Sequence, residues 1–343
     1  MRTLNILYLQ KGSFCSCSRL TWLSSHVLEH VIIYAYILYM ILREIMRKVI
    51  LERLRDELLN RGAFDTLPPT VWDRVSALNT YGTNAIEGGT LTQREVEAIL
   101  LDSRGVDKPI SEILETLQHA AAFRGLMDRR GRSIDLVTVL ELHEQVFKGL
   151  MADAGQWRRI NVIVRGAPFT PPRPEKVVPR MEDLITEYLR RDLEGEDPFT
   201  LGAWMHHGFE SIHPFSDGNG RAGRLLLNLH FLKHNWPPIH ILPIDRDRYL
   251  NALQAGNRGD LGSLTAYLMT IMGSSLLDLL SQVGTSEDEL EPLLRLQEEG
   301  AYSAKYLALR AKQGELPAVR ARGEWRSSRR ALRIYSGEVG RTR

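Results

Sequence analysis

Cysteine is nearly missing from this sequence: two residues in 343, Cys15 and Cys17, both close to the N-terminus. The remainder therefore has no disulfide framework and no cysteine-built zinc site, which suits a reducing, cytoplasmic setting. Charge of one sign is lacking as well. Lys and Arg number 44 against 42 Asp and Glu, a net of +2, so the total charge demands no polyanionic partner. Long hydrophobic runs are scarce too. The longest, Val31 to Leu42, has twelve residues, whereas a membrane-spanning helix needs about 17–25. An anchor is not expected unless the run extends back through Trp22, and no small-residue cleavage site follows it as a secretory signal requires. Met46 opens a charged amphipathic stretch that would make an ordinary cytoplasmic start. With 43% hydrophobic and 25% charged residues, the chain has the composition of a folded protein of about two domains.

What is present is helical periodicity. From 46 to 285 apolar residues recur every three or four positions, predicting helices near 46–60, 71–87, 93–101, 110–128, 135–151, 175–193, 198–212, 220–234, 246–256 and 261–281. Thr92-x-x-Glu95 is a capping box that starts one of them. Asn161 to Pro172, with its β-branched run, Gly166 and Pro-rich exit, predicts a short β-hairpin on an otherwise α scaffold. The acidic stretch Glu287 to Glu291 reads as a linker. From Ser303 onward there are eleven Lys and Arg against three acids, a net of +8 that leaves −6 for the rest. The expected divisions are an apolar extension at 1–45, a helical domain at 46–285 and a small basic domain at 290–343.

The densest chemistry lies at His213-Pro-Phe-Ser-Asp217-Gly218-Asn219-Gly220-Arg221-Ala-Gly-Arg224. Gly218 and Gly220 allow the backbone turns in which successive N–H groups converge, and the helix that follows adds its positive end, together making an anion nest. Arg221 and Arg224 are three apart, on one face of that helix. Two cations at a helix N-terminus oppose its dipole by about 0.3–1 kcal/mol each, which makes sense if an anion binds between them. Asp217 offers a hard oxygen ligand for Mg²⁺ (or Mn²⁺) held jointly with substrate phosphates. His213 supplies a base near neutral pH. His206, His207 and Glu210 lack metal-site spacing and read as core or helix-face groups.

Residues 213–224 match the motif HPFx[D/E]GNGRxxR of the Fic family at every fixed position, and the broader similarity runs over roughly residues 60–285. It includes Leu142-His143, Phe147, Ala154-Gly155-x-Trp157-Arg158 and Phe209-Glu210-x-Ile212. The resemblance implies a mainly α Fic fold with a short β-hairpin flap, Val162 to Thr170, that aligns a target segment. It implies a protein adenylyltransferase that moves AMP from ATP to a Ser, Thr or Tyr hydroxyl of a target protein, with His213 as base and Asp217 as the metal ligand. Gly218, Asn219 and Gly220 would hold the α- and β-phosphates, and Arg221 and Arg224 the outer ones. The phosphate-transferring Doc-type toxins carry Lys at the place of Gly220, so Gly here implies nucleotidyl transfer. Tyr249 and Asn257 would contact adenine and ribose, although many relatives have Tyr where this chain has Leu250, leaving UTP or another nucleotide conceivable.

Upstream, Thr83-Asn-Ala-Ile-Glu87-Gly88 ends a helix expected at about 71–88, where an acid faces the unfavourable pole of the dipole and calls for a cation. The segment resembles the (S/T)xxxE(G/N) inhibitory helix of class II Fic proteins. By that resemblance Glu87 pairs with Arg224 and blocks productive placement of the γ-phosphate; in some relatives the same glutamate supports removal of AMP. Relatives often form homodimers. The order of elements in 290–343 resembles a winged helix-turn-helix of excisionase-like DNA binders. The alternative function is accordingly a DNA-binding regulator whose Fic domain serves as a nucleotide sensor. A membrane-anchored enzyme, resting only on the N-terminal run, is a third reading.

Overall fold

The computed structural model describes residues 20–62, 64–164, 169–297, 302–321 and 323–341. Two units are distinguished, residues 1–45 and 46–343. Helix α1 (Leu20–Leu59) begins in the first, well before the start expected at Met46, and there exposes Val31 to Tyr34, Ile37 to Leu42 and Ile45.

Within the second unit the apolar spacing yields α2 (Pro69–Ile86), α3 (Gln93–Leu100), α4 (Ile110–Arg124), the single turn α5 (Leu126–Arg129) and α6 (Leu136–Phe147). α7 (Val177–Leu193), α8 (Pro198–Ile212), α9 (Asn219–Lys233), α10 (Arg246–Gly256) and α11 (Gly262–Val283) follow. The expected helix over 110–128 is broken at Gly125. The one expected over 135–151 stops at Phe147, just before Gly149 adopts φ 78°. Thr92 and Glu95 form the reciprocal cap, with Thr92 N–H donating to Glu95 at 2.8 Å.

α9 is the axis of this unit. Apart from Gly220, every residue from Asn219 to Leu232 is buried, the polar ones included. Its polar members find partners: Asn228 accepts from Ile239 N–H at 2.8 Å, and the His230 ring meets the Pro198 carbonyl at 2.7 Å. α2, α6 and α8 pack around it. α11 is apolar and long enough to cross a bilayer, yet most of it is buried in the protein interior.

The stretch expected as a linker is structured. Asp288, 1% exposed, bonds Arg61 at 2.8 Å and Arg330 at 2.6 Å, so its charge is taken up rather than solvated. Beyond it come β1 (Glu291–Pro292), α12 (Leu293–Leu296), α13 (Ala304–Lys312), β2 (Val319–Ala321), β3 (Glu324–Ser327) and α14 (Arg329–Arg341). The sheet is antiparallel with order β1-β3-β2. Leu293, Leu296, Leu307, Leu316, Leu332 and Tyr335 join the same core as the helical body. By contrast, 161–164 and 169–172 form no strand, and the tip of the expected hairpin, 165–168, lies outside the described residues. Pro171 and Pro172 have no N–H to give a ladder.

Burial alone would raise the Asp288 carboxyl, but Arg330, the Thr285 N–H and Arg61 bring it down to about 2. Asp288→Asn should cost on the order of 3–5 kcal/mol at neutral pH. Because the folded-state pKa is depressed, this contribution is complete above the unfolded value of about 3.9 and fades as pH falls toward the folded one. Urea unfolding of both proteins should show a wide gap at pH 7 that narrows below about pH 4; a gap independent of pH would refute the ion-pair origin.

Candidate active site

α8 ends at Ile212 because Pro214 cannot continue a helix. His213 is left in the left-handed region, φ 52° and ψ 63°, an unusual place for a residue with a side chain. Its N–H still reaches Phe209 O at 2.9 Å. The following loop is folded by Asn219, whose side chain accepts from Phe215 N–H at 2.8 Å and donates to Phe215 O at 3.0 Å. The Asn219 side chain is thus spent on folding the loop, while its main-chain N–H lies at the helix end. Gly218 turns the chain at φ 74°, and a Cβ there would stand 2.2 Å from the Phe147 ring. The first intrahelical bond of α9 runs from Ala222 N–H to Gly218 O. The N–H groups of Asn219, Gly220 and Arg221 precede it and face the helix's N-terminal side, where an anion is favoured.

Behind the loop, His143 stacks on Phe215 with ring centroids 3.7 Å apart. Its Nδ1 accepts from Gly155 N–H at 2.9 Å, which fixes the tautomer and lets Nε2–H donate to Asp217 O at 3.0 Å. Asp217 itself is exposed, one carboxylate oxygen accepting from Gly218 N–H at 2.6 Å. Among the described residues no three His, Cys, Asp or Glu gather as a metal cage. A lone exposed carboxylate beside an anion nest fits Mg²⁺ shared with substrate phosphates, the mode in which this ion keeps several waters.

The His213 ring is half-buried, and its Nδ1 lies 3.3 Å from Glu210 O, which leaves Nε2 as the outward basic nitrogen. Burial holds the imidazole below its ordinary pKa; the Glu210 carbonyl opposes this, and the Arg158 charge assists it. Glu210, whose carboxylate lies 4.0 Å from that ring, is pushed up to about 7 by burial.

Arg224 is buried at the centre. Its Nε donates to Thr83 Oγ1 at 2.6 Å, and its Nη2 donates to Glu87 Oε1 at 2.6 Å and to Thr83 O at 3.3 Å. Burial would raise the Glu87 carboxyl, but the charge and hydrogen bond of Arg224 carry it below the usual range. Gly220 gives this pair room: a Cβ there would lie 2.2 Å from Glu87 Oε1.

Sequence reasoning did not find the partner of the other arginine. Arg221 pairs with Glu115 of α4 and lies over the Phe147 ring at 4.5 Å. Both motif arginines are therefore neutralised by acids from the N-terminal half of the unit. Tyr249 is a correction. It is 1% exposed, and its hydroxyl meets the His206 ring at 2.7 Å and bonds Arg224, so it braces the arginine from the core and presents no surface to a nucleotide. Asn257, at the end of α10, has its Oδ1 held by His207 at 2.9 Å.

A family model described as the Fic/DOC family matches residues 133–231. The chain is 32% identical over 255 residues to the protein adenylyltransferase fic-1 of Caenorhabditis elegans, covering 72% of this chain and 49% of that protein. It is 33% identical over 186 residues to the protein adenylyltransferase Fic of Nematostella vectensis, covering 53% and 43%. It thus spans about half the length of the curated relatives it matches. Among solved structures, Fic-1 (residues 134–508) of C. elegans superposes with a TM-score of 0.61 at 29% identity, covering 75% of this chain and 77% of that one. A Fic-domain-containing signaling protein of Bacteroides thetaiotaomicron, at 22% identity and a TM-score of 0.62, covers 69% and 99% and shares the fold. With the loop, the nest and the two arginines assembled on this helical frame, residues 133–231 are a domain of the Fic/DOC family.

Proposed function

We propose that the protein is an adenylyltransferase that moves AMP from ATP to a hydroxyl of a target protein, and that Glu87 restrains it. The observation that carries this reading is the meeting of a basic imidazole, His213, with the open N-terminus of α9 and the two arginines of its first turns. The phosphates lie on the N–H groups of 219–221, with Arg221 and Arg224 on the outer oxygens. Asp217 would hold Mg²⁺, which offsets phosphate charge when bound. His213 Nε2 takes the proton of the target hydroxyl as its oxygen attacks the α-phosphorus; the bond to the bridging oxygen breaks, and pyrophosphate leaves. With Glu87 on Arg224, the γ-phosphate finds its guanidinium already occupied. Curated relatives named adenylyltransferases support the activity.

Two partner readings follow. The exposed side chains Ile110, Leu114 and Leu117 recur at i, i+4 and i+7 on α4, an apolar stripe suited to a second copy of the chain. DNA contact through 290–343 draws less support, since Arg329, Arg330 and Arg333 already face Glu291, Asp288 with Glu57, and Glu287.

His213→Ala should lower transfer about 10²–10⁴-fold while ATP still binds calorimetrically. Lost binding or retained transfer would refute its role as base. Since the base acts when neutral and its pKa lies below 6.5, wild-type turnover should persist as pH falls through 6.5; an inflection above that value would contradict it. Glu87→Gly should raise self-labelling with ATP about ten-fold or more, whereas Arg224→Ala should not; equal labelling by wild type and Glu87→Gly would dismiss the restraint. Leu114→Glu should convert a dimer to a monomer by light scattering, and an unchanged mass would remove the α4 stripe as the interface.

A further inference from the structure

Arg158 is 2% exposed and has no part in the steps above. Its guanidinium spreads over four main-chain carbonyls. Nε donates to His213 O at 2.8 Å, Nη1 to Ile160 O at 2.8 Å, and Nη2 to Pro172 O at 2.5 Å and to Ile212 O at 3.4 Å. Its own N–H donates to Pro214 O at 3.0 Å. Among the described residues its hydrogen-bond partners are all carbonyls, an expensive setting for a buried cation unless the directions of its donors are what is needed.

Those directions join three pieces of chain. His213 and Ile212 belong to the strained turn that presents the base. Ile160 and Pro172 flank Val162 to Thr170, the stretch expected as the flap that aligns a target. A paired ladder would hold the two sides of such a flap in register, but 161–164 and 169–172 form no strand and the exit is Pro171-Pro172. The planar five-donor fork of arginine does what the ladder does not. Lysine, a point charge with three rotatable donors, could not reach the four carbonyls in fixed directions.

We propose that Arg158 is a positioning residue that clasps Ile160 and Pro172 to the main chain of His213, so that a target hydroxyl brought in beside these two points meets the imidazole in register. This rests on the adenylyltransferase reading above. The Arg158 charge works in the same sense, favouring the neutral ring against the carboxylates Glu87 and Asp217 and the Glu210 carbonyl that face it. The nucleotide cradle, built on α9, does not depend on the clasp.

The test uses the full chain carrying Glu87→Gly, with and without Arg158→Lys or Arg158→Ala, and fluorescently labelled ATP as the probe. A misplacement of about 1 Å can cost about 10²-fold. The clasp therefore predicts that kcat for self-labelling falls about 10–100-fold in both variants while the ATP dissociation constant and KM stay within about two-fold. Guanidinium ion added to Arg158→Ala should restore part of kcat. Hydrogen exchange should quicken together at Ile160–Val164 and at His213. Unchanged kcat, or kcat and ATP affinity lost together without guanidinium rescue, would overturn the proposal, as would exchange that quickens in neither segment. Absence of labelling by the Glu87→Gly protein itself would instead overturn the adenylyltransferase reading, and the exchange result would still decide whether the clasp exists. If Arg158→Ala does not fold, Arg158→Lys carries the kinetic and exchange arms.

Discussion

A guanidinium buried in a helical core is the constraint around which this site is built. Arg224 sits on α9, whose side chains are enclosed almost throughout, so its charge is largely shut off from bulk water. Leaving such a cation unpaired is far more costly than any single hydrogen bond is favourable. Thr83 and Glu87 at the end of α2, and the Tyr249 hydroxyl from α10, supply what water cannot. In the proposed reading a ligand γ-phosphate competes with Glu87 for the same group. Restraint and nucleotide reading are, in that proposal, two uses of one buried charge.

Everything else at the site serves to hold short pieces of chain against α9. The loop from 213 to 218 is folded by the Asn219 side chain, braced from behind by His143 and Phe215, and closed by Gly218 where Phe147 leaves no room for a Cβ. Arg158 anchors its strained first residue. The donors of the nest come from the helix end itself, and the acids on Arg221 and Arg224 arrive from α4 and α2. The N-terminal half of the unit therefore supplies both acids to a site whose motif lies wholly in its second half.

The parts readable from sequence were those whose chemistry is local. The twelve residues from His213 to Arg224 carry their turn, nest and helix within themselves, and the capping box at Thr92 and Glu95 depends only on a three-residue spacing. Glu87 reads as needing a cation because an acid at the wrong end of a helix demands one; that Arg224 is the cation is implied by the resemblance to the inhibitory helix. Glu115 gave no such signal: it is an ordinary mid-helix acid, and its meeting with Arg221 is set by how α4 lies on α9. Tyr249 was misplaced for the same reason, since burial decides whether a hydroxyl faces a ligand or braces an arginine. In the tail, the acidic stretch at 287–291 resembled a linker because sequence shows its charges but not Arg61 and Arg330 on Asp288, Arg333 on Glu287 and Arg329 on Glu291.

Competition for Arg224 is most directly measured as a difference between two nucleotides. Calorimetric titration of ATP and ADP into wild type and Glu87→Gly isolates the γ-phosphate, since the remaining contacts are shared. The account predicts equal affinities for ATP and ADP in wild type. In Glu87→Gly it predicts a preference for ATP of about 10–100-fold, the worth of a charge-assisted hydrogen bond of about 1.5–3 kcal/mol. The same ratio of ATP to ADP affinity in both proteins would contradict it.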